Sequence, residues 1–121
     1  MQYACLIYND PKSVFDDSPE ANAVLAQVGP HNDELRANGQ FVSSLALVLP
    51  RDAVTVRVRE GNVSTTDGPF METKEILGGL VVIEARDLND AVRIAGTMPF
   101  AQLGSIEVRP LIDFSKPRPK L

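Results

Sequence analysis

The chain has 121 residues, 44% of them hydrophobic and 23% charged, which is the size and composition of one soluble globular domain. Its formal net charge is -4 and its basic residues are scattered, so we expect no direct binding to nucleic acid. Cys5 is the single cysteine, so we expect no disulfides. We also expect no signal peptide after Met1, and no apolar run approaches the ~20 residues of a membrane span. We therefore expect a cytoplasmic protein without membrane attachment.

The first third of the chain predicts a strand and a helix. Tyr3 to Tyr8 is a continuous apolar run, which indicates a buried strand, and a loop is expected after it. Ser18-Pro19 supplies an N-cap and a proline suited to the first helical position, while Asn38-Gly39 is a typical C-terminal signal, so a helix is predicted between them. Pro30 removes an amide donor inside this helix, so we expect a kink or break near Gln27.

The middle of the chain predicts strands and turns. Phe41 to Leu49 indicates a second strand, and Val54 to Arg59 alternates apolar and polar residues, as in a third strand with one apolar face. Glu60-Gly61-Asn62 predicts a hairpin turn, and Val63-Ser64-Thr65 predicts a short returning strand. Asp67-Gly68 then favours a sharp bend, because aspartate can bond the backbone just ahead of it and glycine accepts a positive φ.

The last third predicts a strand, a helix and a final strand. Leu80 to Ile83 is the most apolar run, and Gly78-Gly79 before it predicts a β-bulge or a close backbone approach. Asp87 is suited to cap a second helix, which Pro99 ends. Ile106 to Ile112 predicts the last strand.

The order of these elements predicts an α+β fold. It is β-α-β-(β-hairpin)-β-α-β, which corresponds to the ferredoxin-like split βαβ plan with both helices on one face of an antiparallel sheet. We expect one domain over residues 1–115, followed by a flexible, proline-rich basic tail over residues 116–121. The other sheet face would be a large exposed apolar patch on a monomer, so we expect a homodimer.

Four blocks of the sequence are the opening Met1-Gln2-Tyr3 with Leu6-Ile7-Tyr8, then Asp33 to Gly39, then Thr66 to Glu75 with its Asp67-Gly68-Pro69-Phe70, and finally Glu107 to Pro110. In these blocks and their order the chain resembles the DGPF group of YCII-related proteins, a family of small bacterial proteins. The resemblance implies that residues 1–115 form a YCII-like DGPF domain whose open sheet face packs on a second copy as a dimeric α/β barrel. Relatives of the group occur beside or fused to extracytoplasmic-function sigma factors, so the resemblance also implies an association with transcription.

His31 is the main catalytic candidate, because it is the only histidine and lies on the helix stripe that faces the sheet. Histidine transfers protons near neutral pH without a large pKa shift. The other interpretation is a structural histidine that bonds a carbonyl. In the wider YCII group, a histidine on the first helix and the aspartate of an Asp-Pro-Phe motif have been suggested to act as an acid–base pair. His31 matches that histidine, but this chain has Met98 where the aspartate would stand.

The DGPF segment and the last strand supply the remaining candidates. Asp67 could replace the missing acid beside His31, or could serve only the turn. Glu72 and Lys74 alternate so that both could point to one side and bind a polar ligand, or they could lie on a solvated loop. Arg109 could bind a carboxylate of a ligand, or could pair with Glu107 or an acid of a partner chain.

Two functions stay open from the sequence. In the first, a dimeric small-molecule enzyme or binding protein holds its ligand between the first helix and the sheet, with His31 as acid or base and Asp67 or Glu72 orienting it. In the second, which the resemblance implies, the chain is a non-catalytic regulatory partner of sigma factors. No phosphate-binding glycine loop, serine-hydrolase elbow or metal-ligand spacing occurs, so we expect neither a cofactor nor a metal.

Overall fold

The computed structural model describes residues 1–120, which form one four-stranded sheet, one separate β-hairpin and several helices. The strands are β1 (Gln2–Asn9), β2 (Phe41–Ala46), β3 (Val54–Arg59), β4 (Asn62–Asp67), β5 (Ile76–Glu84) and β6 (Gly104–Pro110). The α-helices are α1 (Pro11–Val14), α2 (Pro19–Ala37) and α3 (Leu88–Gly96), and 3-10 helices cover Pro50–Asp52 and Pro99–Gln102.

The large sheet has the strand order β2-β5-β1-β6, and each of its neighbouring pairs is antiparallel. Helix α2 connects β1 to β2 and α3 connects β5 to β6, so two β-α-β units share one sheet. β3 and β4 pair only with each other, as a hairpin inserted between the two units. The predicted ferredoxin-like α+β fold is therefore confirmed.

The core lies between the helices and one face of the sheet. Alternate residues of β1 are buried on this face, and they pair with buried residues of β5: Cys5 with Val81 and Tyr3 with Ile83. Side chains of both helices cover them, among them Leu35 of α2 and Ile94 of α3. The residues between these positions, such as Leu6 and Leu80, lie on the opposite face and are only partly buried.

Both predicted N-caps are present. Ser18 Oγ accepts a hydrogen bond from the Ala21 amide at 3.1 Å, and the Asp87 carboxylate accepts one from the Asp90 amide at 2.8 Å. The expected break in the first helix is wrong, because α2 is continuous through Pro30. Buried residues on both sides of the proline, Val24 and Leu35, anchor the helix, so packing outweighs the lost hydrogen bond.

Several elements differ from the sequence prediction. The segment after β1 was expected to be a loop, but it contains the short helix α1, whose N-cap Asp10 accepts a hydrogen bond from the Lys12 amide at 3.0 Å. β2 ends at Ala46 rather than Leu49, and β5 begins at Ile76 rather than Leu80. The tail from residue 116 to 120 has no helix or strand, and Leu121 lies outside the described residues.

The paired glycines sit inside β5 and produce both predicted effects. Ile7 pairs with Gly79 and Tyr8 with Leu77, so Gly78 is the extra residue of a bulge. A Cβ on Gly79 would lie 2.5 Å from the Leu45 carbonyl oxygen, so only glycine lets β2 and β5 approach this closely.

The hairpin presents its apolar side to solvent. Glu60 and Gly61 both have positive φ, 52° and 78°, as the two-residue turn between β3 and β4 requires. The alternation in β3 is as predicted, but Val54, Val56 and Val58 are each more than half exposed in the single chain. Within residues 1–120, no helix is both long and apolar enough to cross a bilayer.

Candidate functional site

A cavity of about 250 Å³ separates α2 from the sheet. Its floor is formed by the ends of β1, β2 and β5, its roof by α1 and α2, and one wall by the segment after α3. The lining is mostly apolar and includes two phenylalanines, Phe15 and Phe100. The polar side chains of the lining are Asn9, His31, Asn32 and Ser44, and no Asp, Glu, Lys or Arg of the described chain belongs to it.

His31 enters the cavity from α2 and is tied to the end of α3. Its Nε2 lies 2.9 Å from the hydroxyl oxygen of Thr97, and that hydroxyl lies 2.6 Å from the Ile94 carbonyl oxygen. Met98, at the place of the family's aspartate, is buried and lines the same cavity. The immediate polar partner of His31 in this chain is therefore a hydroxyl group.

Asn9 is the buried polar residue of the cavity. Only 4% of it is exposed, and its Oδ1 has no hydrogen-bond partner among the described residues. A Cβ on Gly78 would lie 2.7 Å from Asn9 Nδ2, so the glycine makes room for this amide. A buried amide oxygen without a partner costs about 1–3 kcal/mol, so Asn9 marks a position where a hydrogen-bond donor would be stabilising.

Asp67 lies at the end of the exposed hairpin and does not line the cavity. Across residues 1–120 its carboxylate makes no hydrogen bond, so the proposed aspartate turn is not what holds the bend. Instead the Gly68 amide donates to the Ala53 carbonyl at 2.7 Å, and the Thr55 hydroxyl donates to the Gly68 carbonyl at 2.9 Å. Gly68 itself has a φ of 100°, as the sequence predicted for this bend.

The rest of the DGPF segment borders a second cavity of about 480 Å³. Pro69, Phe70 and Met71 form one side of it, and residues of the first cavity wall, among them Leu47 and Ile76, form another. The Arg57 guanidinium lies 5.8 Å from the centre of the Phe70 ring, which links the hairpin to this segment.

Glu72, Lys74 and Arg109 are not brought to His31 in the single chain. Glu72 and Lys74 are exposed and line neither cavity. Arg109 lies in β6 on the sheet face without helices, where it forms an ion pair with Glu107. The Glu107 carboxylate raises the pKa of Arg109 through this contact.

Three residues of the site were not predicted from the sequence. Asn9 follows the predicted first strand, where a loop is expected. Thr97 belongs to no motif, and Phe100 stands in the Met98-Pro99-Phe100 segment without a predicted role. Thr97 is 66 positions from His31, so only the packing of α2 against the segment that follows α3 brings the two together. Among residues 1–120, no group of three or more His, Cys, Asp or Glu side chains is arranged to hold a metal ion.

A second polar cluster lies away from the cavity, at the start of α3. The buried carboxylate of Asp90 accepts hydrogen bonds from the Arg86 amide at 3.0 Å and from the Arg93 guanidinium at 2.9 Å. These bonds, the one from the Arg86 amide first, hold the pKa of Asp90 well below its usual range. The cluster stabilises the first turn of α3 rather than forming part of the cavity.

Comparison with known proteins agrees with the fold and the sequence blocks. The model of the YCII-related domain matches residues 1–115. The chain belongs to this family. It is 34% identical over 114 residues to an uncharacterised protein of Rhizobium meliloti (strain 1021), covering 92% of each chain.

A solved structure with the same fold is 5-chloro-2-hydroxyhydroquinone dehydrochlorinase from Burkholderia phenoliruptrix, in complex with 2,5-dihydroxybenzoquinone. The superposition has a TM-score of 0.55 and covers 93% of this chain and 94% of that one, with 14% sequence identity. At this identity the similarity concerns the fold of this YCII-related protein.

Proposed function

We propose that this YCII-related protein binds a small, uncharged, largely apolar molecule in the cavity between α2 and the sheet, and that His31 is its acid–base group. The observation that carries the proposal is the cavity itself, an apolar enclosure that contains one histidine and one buried amide without a partner. Ligand sites commonly combine apolar walls with a few polar groups that fix the orientation of the ligand.

The lining favours an uncharged ligand. No acidic side chain and no lysine or arginine of the described chain lines the cavity, so a charged ligand would lose its hydration without gaining an ionic partner. A neutral molecule loses little on entering such a space. His31 and Asn9 can each form one hydrogen bond to it.

The cavity volume favours a ligand of about one ring. An apolar cavity of about 150 Å³ holds one benzene molecule, so the present cavity of about 250 Å³ has room for one ring with small substituents. The fold neighbour, a dehydrochlorinase, was solved with a single-ring ligand, which supports a small-molecule site on this fold.

The proposal can be tested with phenol and anisole, two neutral one-ring probes. Saturation-transfer NMR suits the weak affinity of such small molecules. Val28 of α2 lines the cavity, so Val28→Trp should fill the space and remove the signal of phenol. Ala23→Trp places the same side chain on an exposed position of the same helix and should keep the signal.

Two results would contradict this proposal. Phenol could give the same signal with Val28→Trp as with the wild type, which would place its binding elsewhere. Alternatively neither probe could bind, in which case the regulatory association with sigma factors would become the better hypothesis.

We also propose that the protein is a homodimer through the sheet face that carries no helices. Leu6, Leu80 and Val82 lie on this face and are only partly buried in the single chain. Pairing two such faces would remove apolar surface from water, which stabilises by roughly 25 cal/mol per Å².

Sedimentation equilibrium of the wild type and two lysine variants tests the dimer. Leu80→Lys would bury two charges in the interface and should give a monomer, while Val92→Lys, on the exposed side of α3, should leave the dimer intact. A monomeric wild type at micromolar concentration would refute the proposal.

A further inference from the structure

We infer that Thr97 is a positioning residue that fixes the tautomer of His31, with Nε2 protonated and Nδ1 free to accept a hydrogen bond. It follows that the ligand presents an O–H or N–H group to His31. The tautomer follows from the geometry of this chain alone, whereas the class of ligand rests on the proposed function.

The Thr97 hydroxyl has one proton and two neighbours. Its oxygen lies 2.6 Å from the Ile94 carbonyl oxygen, a distance at which two oxygens need a proton between them. The carbonyl has no proton to give, so the Thr97 hydroxyl donates to it. The lone pairs of the same hydroxyl then face His31 Nε2 at 2.9 Å, and this contact is stabilising only if Nε2 carries a proton.

The end of α3 holds this hydroxyl in place. Thr97 is the C-cap residue of α3, and its own amide bonds back to the Ile94 carbonyl at 3.0 Å. Backbone and side chain of one residue therefore bind the same carbonyl. These two bonds to the end of α3 fix the position of the Thr97 hydroxyl oxygen, which is the atom that Nε2 contacts.

The neutral ring has one donor and one acceptor nitrogen. With Nε2 committed to Thr97, Nδ1 keeps its lone pair, and it has no hydrogen-bond partner within residues 1–120. Nδ1 is then the base of the site. A hydroxylated ring would be preferred over its methyl ether, because the ether can only accept hydrogen bonds.

Nitrogen-15 NMR of the ring at pH 8.5 tests the tautomer without any ligand, and the protein has a single histidine, so the signals are unambiguous. We expect the ring nitrogen shifts of the wild type to report a single tautomer that is protonated at Nε2. Thr97→Val keeps the shape but removes the hydroxyl, so it should give a mixture of both tautomers. Thr97→Ser should restore the wild-type spectrum.

A protonated Nδ1 in the wild type, or an unchanged spectrum in Thr97→Val, would overturn the role of Thr97.

Saturation-transfer NMR with phenol and anisole then tests the class of ligand. We expect the signal of phenol to exceed that of anisole several-fold in the wild type, and the preference to disappear in Thr97→Val. Equal binding would overturn the donor requirement while leaving the proposed function intact. If neither probe bound, the proposed function and the ligand class would fail together, and the tautomer would stand or fall on the ring spectrum.

Discussion

Replacing Gly79 by alanine should destabilise the protein, because this position joins two strands that lie too close for a side chain. Gly79 pairs with Ile7 of β1 on one side and Ala46 of β2 on the other. The added Cβ would lie 2.5 Å from the Leu45 carbonyl oxygen and 3.3 Å from the Ala46 Cα. Both atoms belong to the backbone, so the contact can be relieved only by moving β2 away from β5.

Overpacking of this kind costs about 1–3 kcal/mol. A chain of 121 residues has a total stability of about 6–18 kcal/mol, so the Gly79→Ala variant should still fold. Its thermal midpoint should fall by roughly 3–15 °C, since each kcal/mol shifts a domain of this size by about 3–5 °C. Because Gly79 lines the cavity, the variant should also bind phenol more weakly.

Gly96→Ala is the matched control. Gly96 is the last residue of α3, and a Cβ there would meet no atom of the rest of the fold within 4 Å. Alanine is favoured over glycine in a helix by up to about 1 kcal/mol, so this variant should be at least as stable as the wild type. Urea unfolding followed by circular dichroism gives both values. Equal stability of Gly79→Ala and the wild type would refute the close-approach argument.

Three further outcomes are expected. Asp90→Asn should lower the urea midpoint at pH 7. The folded pKa of Asp90 is depressed, so its contribution to stability is present above the unfolded pKa of about 3.9 and is lost as pH falls through the folded value. The difference in midpoint between the variant and the wild type should therefore shrink in urea titrations at pH 2.5. Burial raises the pKa of the Cys5 thiol to about 11, so a disulfide reagent at pH 8 should modify it at least about 100-fold more slowly in the folded than in the urea-unfolded protein. Asp67→Ala should change the free energy of unfolding by less than about 0.5 kcal/mol. Thr55→Val should lower it by about 1 kcal/mol, because the hydrogen bond to the Gly68 carbonyl is lost. If chemical denaturation gave the reverse order, Thr55 would not be the residue that holds the bend.

Local signals in the sequence located most of the fold. Ser18 and Asp87 predicted the helix starts because capping depends on residues within one turn. The turn at Glu60-Gly61 was also predictable, since Gly61 readily accepts the positive φ that this turn requires. The uninterrupted helix through Pro30 was not, because what preserves it is packing against distant residues.

The site was less predictable than the fold. His31 was identified by its place on the helix stripe, but its partner Thr97 belongs to another helix, and no sequence spacing connects them. Asp67 was predicted as a candidate acid beside His31, but it lies at the end of the hairpin and does not line the cavity in the single chain. A contact between two helices depends on how both cross the sheet, which the order of elements alone does not specify.

The cavity exists because the sheet beneath α2 is built from small residues. Gly78 and Gly79 have no side chain to fill the space, and Ser44 and Ala46 of the neighbouring strand add little volume. Gly78 makes room for the Asn9 amide and Gly79 allows the close approach of β2, so the same two positions that shape β5 also lack the atoms that would have packed against the helix. A void of this size in a natural core costs stability unless something occupies it, and this cost supports the proposal that the cavity is a binding site rather than a packing defect.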